Sequence, residues 1–231
     1  MMSFLKNISI LALSVLLLWN CQPSSKAPAE SDEATIQQAQ SEKTKQIATF
    51  QYWLENPVPL VSAHRGGPYP GYPENAIETF ENIVNQTPAV IECDVSITKD
   101  GVLILMHDKT LVRTTDGSGD VTDQLYRDIE SLKLVDNDGN PTDYKIPTLD
   151  RVLEWGNGKA LFTLDVKRGV PFEKVIEAIE QYDAESYAAI ITYRIQDAIL
   201  VHSLNPNIMI SVSARDDGAL DQIIKSEIPA K

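Results

Sequence analysis

The sequence predicts an α/β fold built on a parallel sheet with crossover helices. Three observations carry this. From residue 59 onward, short apolar runs alternate with segments of helical spacing, joined by short links. Hydrophobic residues make up 43% of the 231 and charged residues 23%, which supplies a real core and excludes wholesale disorder. Histidines, carboxylates and basic residues cluster at the ends of the apolar runs, where α/β folds assemble their sites.

The elements follow in order. Residues 60–64 (LVSAH) form the first strand candidate, and 75–84 have helical spacing. Residues 89–97 and 102–106 give the second and third strands. A polar, Gly-rich stretch spans 113–140, and a helix follows at 149–155. Residues 160–166 form a fourth strand, and 172–182 a helix with apolar residues at 172, 175, 176 and 179. A fifth strand at 187–192, a helix at 196–204, a sixth strand at 208–212 and a helix beginning at 217 complete the series. Both a doubly wound sheet and a (β/α)8 barrel fit this alternation, and a closed barrel needs two strands more than the six visible here.

The N-terminal region reads as a targeting signal. Lys6 precedes an apolar stretch of 12 residues, 8–19, interrupted only by Ser9 and Ser14. A spanning helix needs about 20 residues, so the stretch fits the apolar part of a signal peptide. Its end, Leu18-Trp19-Asn20-Cys21, resembles a bacterial lipobox, which implies lipidation of Cys21 and attachment to the cell envelope, facing the periplasm or exterior. Trp19 and Asn20 stand where such boxes carry small residues, and an ordinary cleaved signal or an uncleaved anchor is the alternative. Residues 22–45 are rich in Pro, Ser, Ala, Gln and charge, and form a tether that cannot bury enough surface to fold alone. A short helix through Phe50, Tyr52, Trp53 and Leu54 can follow it. The expected division is therefore a signal over 1–21, a tether and lead-in over 22–58, and a folded domain over 59–231.

Composition narrows the function. Lys plus Arg total 20 against 33 Asp plus Glu, a net charge of -13, which argues against nucleic acid as a partner. An anionic small molecule would need local cations. Two cysteines cannot build a disulfide framework, and Cys93, inside an apolar run, reads as a small buried residue.

The chemistry-bearing residues sit at strand ends. His64 and Arg65 follow the first strand, and Glu92 and Asp94 lie on the second. His107 and Asp108 follow the third, and Asp165 and Lys167 belong to the fourth. Successive strand side chains alternate faces, so Glu92 and Asp94 point one way and Cys93 the other; Asp165 and Lys167 likewise share a face. Paired carboxylates inside a sheet repel each other, and a divalent cation resolves the cost; all-oxygen ligands suit Mg2+ or Ca2+. An isolated E-x-D would be read as a solvated strand end, but here three more polar strand ends accompany it.

The ordered series HRGG, PENAIETF, ECDVSITKDGVLILMHDKTLVRTTDGSG, IPTLDRVL and LDVK resembles the glycerophosphodiester phosphodiesterase family across residues 60–215. The resemblance implies a barrel related to the triosephosphate isomerase type. It also implies a metal-dependent enzyme releasing glycerol 3-phosphate and an alcohol from glycerophosphodiesters. Its two catalytic histidines fall on His64 and His107, and its metal ligands on Glu92, Asp94 and Asp165. Arg65 and Lys167 are its basic residues at the phosphate. Asp165 stands where the family usually has Glu. With His64 and His107 ending the first and third strands, both rings are expected to face a phosphate over the second. Glu74-Asn75 either sits by the site or caps the following helix, Asp108 orients a ring or caps a loop, and His202 reads as structural. The stretch TTDGSG is turn chemistry and not a Walker loop.

Two rival functions stand beside the enzyme: a noncatalytic lipoprotein holding phosphodiester headgroups, and a related phospholipase acting on intact lipids. The family barrel would continue through a seventh and eighth strand after Ile224, so the sequence reads as a fragment, an open barrel, or a barrel completed by a partner.

Overall fold

A computed structural model describes residues 48–226 and 228–229. The apolar stretch, Cys21 and the tether up to residue 47 lie outside them. Among the described residues no helix is long and apolar enough to cross a membrane.

The chain opens with α1 (Phe50–Glu55), capped by the Thr49 hydroxyl, which accepts from the Tyr52 N–H. Then come β1 (Val61–Ala63), α2 (Ile77–Val84), β2 (Ala89–Ile97) and β3 (Leu103–Leu105). An insertion follows, with α3 (Tyr126–Ile129), β4 (Lys133–Val135) and β5 (Pro141–Lys145). The alternation resumes with α4 (Leu149–Gly156), β6 (Leu161–Val166), α5 (Phe172–Gln181), β7 (Ala188–Thr192), α6 (Ile195–Leu204), β8 (Ile210–Val212) and α7 (Asp217–Lys225).

The main sheet has six strands, as many as the sequence suggests, but not all run one way. Five are parallel neighbours in the order β1-β2-β6-β7-β8, with helices in the crossovers, the arrangement of an incomplete α/β barrel. The third strand is the exception. β3 pairs antiparallel with the end of β2, Val95 opposite Leu105. The reason is length: a parallel crossover takes a dozen or more residues. Here Gly101, at φ +84, and the Thr98 N–H bonded to the Val102 carbonyl close a tight hairpin instead. The polar stretch likewise holds structure, the antiparallel β4–β5 pair.

One face of the parallel sheet is covered. Ile91, Cys93, Val95, Phe162, Leu164 and Ile190 are fully buried, packed with Phe80 of α2, Leu149, Val152 and Leu153 of α4, and Val175 and Ile179 of α5. Phe162 lies at its centre, 6.1 Å from the Phe80 ring and 6.4 Å from Trp155. Val90, Thr163 and Ala189 line a cavity of about 740 Å³ together with Ile208, Ile210 and Val212 of the chain around β8. His202 lines it too.

A second, smaller core forms in the insertion from Ile104, Met106, Leu111, Val121, Ile129, Leu134 and Ile146, joined by Ala76. Strand β3 serves both cores: Leu103 and Leu105 face the first, Ile104 the second.

Candidate active site

The polar residues singled out in the sequence meet beyond the end of β1. A turn over His64–Gly66 follows that strand, with Arg65 at φ +51 and Gly66 and Gly67 at +85 and +73. Glycine is required at 66 on two counts, because a Cβ there would run into the Phe80 ring. Arg65 has no such exemption, and its left-handed backbone is strain held by its surroundings. The strained turn points the Arg65 N–H at Glu92, whose Oε2 accepts at 2.7 Å.

Strand pairing supplies the carboxylates. Asp94 of β2 stands directly opposite Asp165 of β6 in the parallel register, and Glu92 opposite Thr163. Glu92, Asp94 and Asp165 each place an oxygen within 4.8 Å of the others. Cys93, between them, faces the apolar core. Burial pushes its thiol well above the ordinary range, and the neighbouring carboxylates add to this; with no exposed surface it packs as a small core residue.

Lys167 enters this cluster. Its Nζ lies 2.5 Å from Asp94 Oδ1 and 2.6 Å from Asp165 Oδ2. Burial opposes the ammonium charge, but the bonds to Asp165 and Asp94 outweigh it and raise the lysine. In Glu92 it is the charged form that is disfavoured. Burial raises its carboxyl above the usual range and the charges of Asp94 and Asp165 add to the rise, against the Arg65 N–H bond.

Glu74 and Asn75 do not cap α2. The cap position is Ala76, without a side-chain bond. Asn75, at φ +58, turns its amide to Asp94 instead, donating to Oδ2 at 2.7 Å and accepting from the Asp94 N–H at 3.0 Å. Glu74, only 3% exposed, takes Arg65 Nη1 on both oxygens at 3.1 Å. It also takes Arg113 Nη1 and Nη2 at 2.9 and 2.8 Å. Burial alone would raise Glu74; the hydrogen bonds and charges of Arg113 and Arg65 overcome it and hold the group below the ordinary carboxylate range.

The histidines differ in setting. His64 is open, its side chain 73% exposed, with Nε2 4.0 Å from Glu92 Oε2. His107 is half-buried, its Nδ1 2.7 Å from Asp108 Oδ1, so Asp108 orients the ring. Hydrogen bonding from Arg113, with that to His107 after it, keeps Asp108 far below the usual carboxylate range. His107 does not arrive at the end of a third barrel strand, as the alternation suggested. It follows the antiparallel β3, whose return brings the Met106 N–H onto the Asp94 carbonyl at 2.9 Å.

The polar centre thus holds five carboxylates, Glu74, Glu92, Asp94, Asp108 and Asp165, against three fixed cations, Arg65, Arg113 and Lys167. Carboxylates outnumber the cations, and the donors in the Glu92–Asp94–Asp165 cluster are all oxygen and lie within reach of one another, so the residues fit a hard metal ion. The buried Arg65 Nε makes no hydrogen bond among the described residues, though it stands within ion-pair reach of Asp94 Oδ2, 3.7 Å away. Sequence reasoning missed Arg113; nothing in its spacing from His107 marks it.

Known proteins resemble this chain in both sequence and fold. The model of the glycerophosphoryl diester phosphodiesterase family matches residues 64–230. A glycerophosphodiester phosphodiesterase from Caldanaerobacter subterraneus is 34% identical over 160 residues, covering 66% of this chain and 65% of its own length. One from Bacillus altitudinis is 32% identical over 184 residues, covering 74% and 73%. The crystal structure of a glycerophosphoryl diester phosphodiesterase from Parabacteroides distasonis superposes with a TM-score of 0.72 at 36% identity, over 82% of this chain and 65% of that one. The chain therefore spans about two thirds to three quarters of the length of these relatives, and with its motif residues gathered in one site it belongs to the glycerophosphoryl diester phosphodiesterase family.

Proposed function

We propose that this protein hydrolyses glycerophosphodiesters to glycerol 3-phosphate and an alcohol, by proton transfer between His64, His107 and the reacting oxygens beside a divalent cation. The observation that carries this reading is the cluster of Glu92, Asp94 and Asp165 within 4.8 Å, next to the Arg65 guanidinium. These three carboxylates would hold Mg2+ or Ca2+, which would supply Lewis-acid polarisation of a phosphoryl oxygen. Asp165 lies directly opposite Asp94 in register, so the shorter side chain still reaches the cluster.

The chain's own residues account for the rest. The Arg65 guanidinium and the Lys167 ammonium supply positive charge beside the carboxylate cluster, which would offset the charge of an anionic phosphate held there. His107, held through Nδ1 by Asp108, presents Nε2 for proton exchange. His64, in contact with solvent beside Glu92, can serve as the second proton carrier. One ring takes the proton of the nucleophile, water or the substrate's own glycerol hydroxyl, and the other protonates the leaving oxygen.

The decisive measurement is release of glycerol 3-phosphate from glycerophosphocholine with Mg2+ or Ca2+ supplied. Tight binding of the diester without any turnover would sink the enzyme reading and leave a headgroup-binding protein. Attachment to the envelope through Cys21 belongs to the same proposal, supported by the apolar 8–19 stretch and the lipobox-like end. Cys21→Ser is expected to shift the protein from the membrane to the soluble fraction or to block signal cleavage; unchanged partition with an unmodified mature N-terminus rejects the anchor.

A further inference from the structure

We propose that Arg113 is a positioning residue of this site: its guanidinium ties the His107–Asp108 pair to the Glu74–Arg65 pair and so fixes the proton-transferring ring relative to the arginine beside the carboxylate cluster. The inference rests on the phosphodiesterase reading above.

The geometry is that of a double fork. Along one edge of the guanidinium, Nε donates to Asp108 Oδ2 at 2.6 Å and Nη2 to Asp108 Oδ1 at 3.0 Å. Along the adjacent edge, Nη1 donates to Glu74 Oε2 at 2.9 Å and Nη2 to Glu74 Oε1 at 2.8 Å. Both carboxylates are held through both oxygens by one planar group, which only arginine can do. The two carboxylates come from different parts of the chain. Asp108 belongs to the segment following β3, whose core is the insertion, whereas Glu74 precedes α2 and contacts the Arg65 turn on the parallel sheet.

Charge neutralisation of Glu74 is only part of what Arg113 does. Glu74 shares its two oxygens between Arg113 and Arg65. What Arg113 adds is the arm to Asp108, and Asp108 is the group that orients the His107 ring through Nδ1. The backbone beside the histidine is pinned separately, by the Met106 N–H on the Asp94 carbonyl, so the arginine governs the ring's angle and not the path of the chain. An ordinary surface ion pair is also a poor description. The Arg113 side chain is 46% exposed, but one of its two partners is almost fully buried.

The test compares the wild-type chain with Arg113→Lys, Arg113→Met, Asp108→Asn and the Arg113→Met/Asp108→Asn double variant, with glycerophosphocholine as substrate. Lysine keeps the charge but cannot grip two carboxylates in one plane. Misplacing a catalytic group by about 1 Å can cost on the order of 10²-fold. Both Arg113 variants are therefore expected to lose roughly 10- to 100-fold in kcat, with KM little changed. The double variant should be hardly worse than the more damaged single one, because both changes act through the same ring. A loss confined to KM, full activity in Arg113→Lys, or multiplying losses in the double variant would overturn the proposal.

A second readout does not depend on turnover. Nitrogen-15 NMR of the His107 ring, assigned by its disappearance in His107→Gln, should show a single tautomer protonated at Nδ1 in the wild type and tautomer exchange in Arg113→Lys. Identical ring signals in the two proteins reject Arg113 as a positioning residue. If the wild type turns over no diester, the phosphodiesterase reading fails, while the ring signals still decide whether the arginine sets the histidine.

Discussion

Replacing His64 or His107 with alanine is expected to lower kcat by roughly 10²–10⁴-fold, the usual worth of a general acid or base, while KM changes little. Neither substitution should disturb the fold. His64 stands in solvent at the tip of a turn whose shape depends on Arg65, Gly66 and their backbone bonds. Loss of the His107 ring leaves Asp108 still gripped by Arg113. The two rings serve one proton cycle, so the double variant should lose less than the product of the single losses. A substrate with a very good leaving group, such as a nitrophenyl ester, should restore the variant that lost the acid and not the one that lost the base. That asymmetry assigns the roles. Full rates in both single variants would end the two-histidine mechanism.

The second large effect concerns the carboxylates. Joint replacement of Glu92, Asp94 and Asp165 by alanine should abolish saturable Mg2+ or Ca2+ binding in calorimetry, and a chelator should silence the wild type. A finer test uses Asn75, which grips Asp94 through both the nitrogen and the oxygen of its side-chain amide. Loss of a residue that orients a metal ligand typically costs about 10- to 100-fold in affinity, so Asn75→Ala should weaken binding to that extent while leaving three ligands in place. Equal divalent binding by the wild type and the triple variant would show that this cluster is not a metal site.

Much of this was legible in the sequence. Period-two parity put Glu92 and Asp94 on one face and Cys93 on the other, and both are so placed. Apolar runs located all six strands of the main sheet, because its central strands β2, β6 and β7 bury most of their residues and read as largely hydrophobic stretches. Direction was harder. The Asp100-Gly101 pair between the second and third runs is a turn signal, and only five residues separate β2 from β3, yet the prevailing alternation masked the hairpin. Glu74 and Asn75 were undecided because the residues before a helix serve as caps or as ligand holders with the same chemistry. Arg113 was invisible because its role depends on a contact with Glu74, 39 residues away, which no local pattern encodes.

The two hydrophobic cores carry a consequence for how damage to this protein should be diagnosed. The acidic cluster takes its rigidity from the layer around Phe162, whereas the segment bearing His107 takes its own from the group around Leu111 and Leu134. Local openings of a fold cost less free energy than global unfolding, even where, as with β3 here, one strand joins two cores. A lesion in the smaller one can silence the chemistry while the larger one, and with it the main unfolding transition, stays as it was. A variant that melts normally has therefore not been shown to have an assembled site.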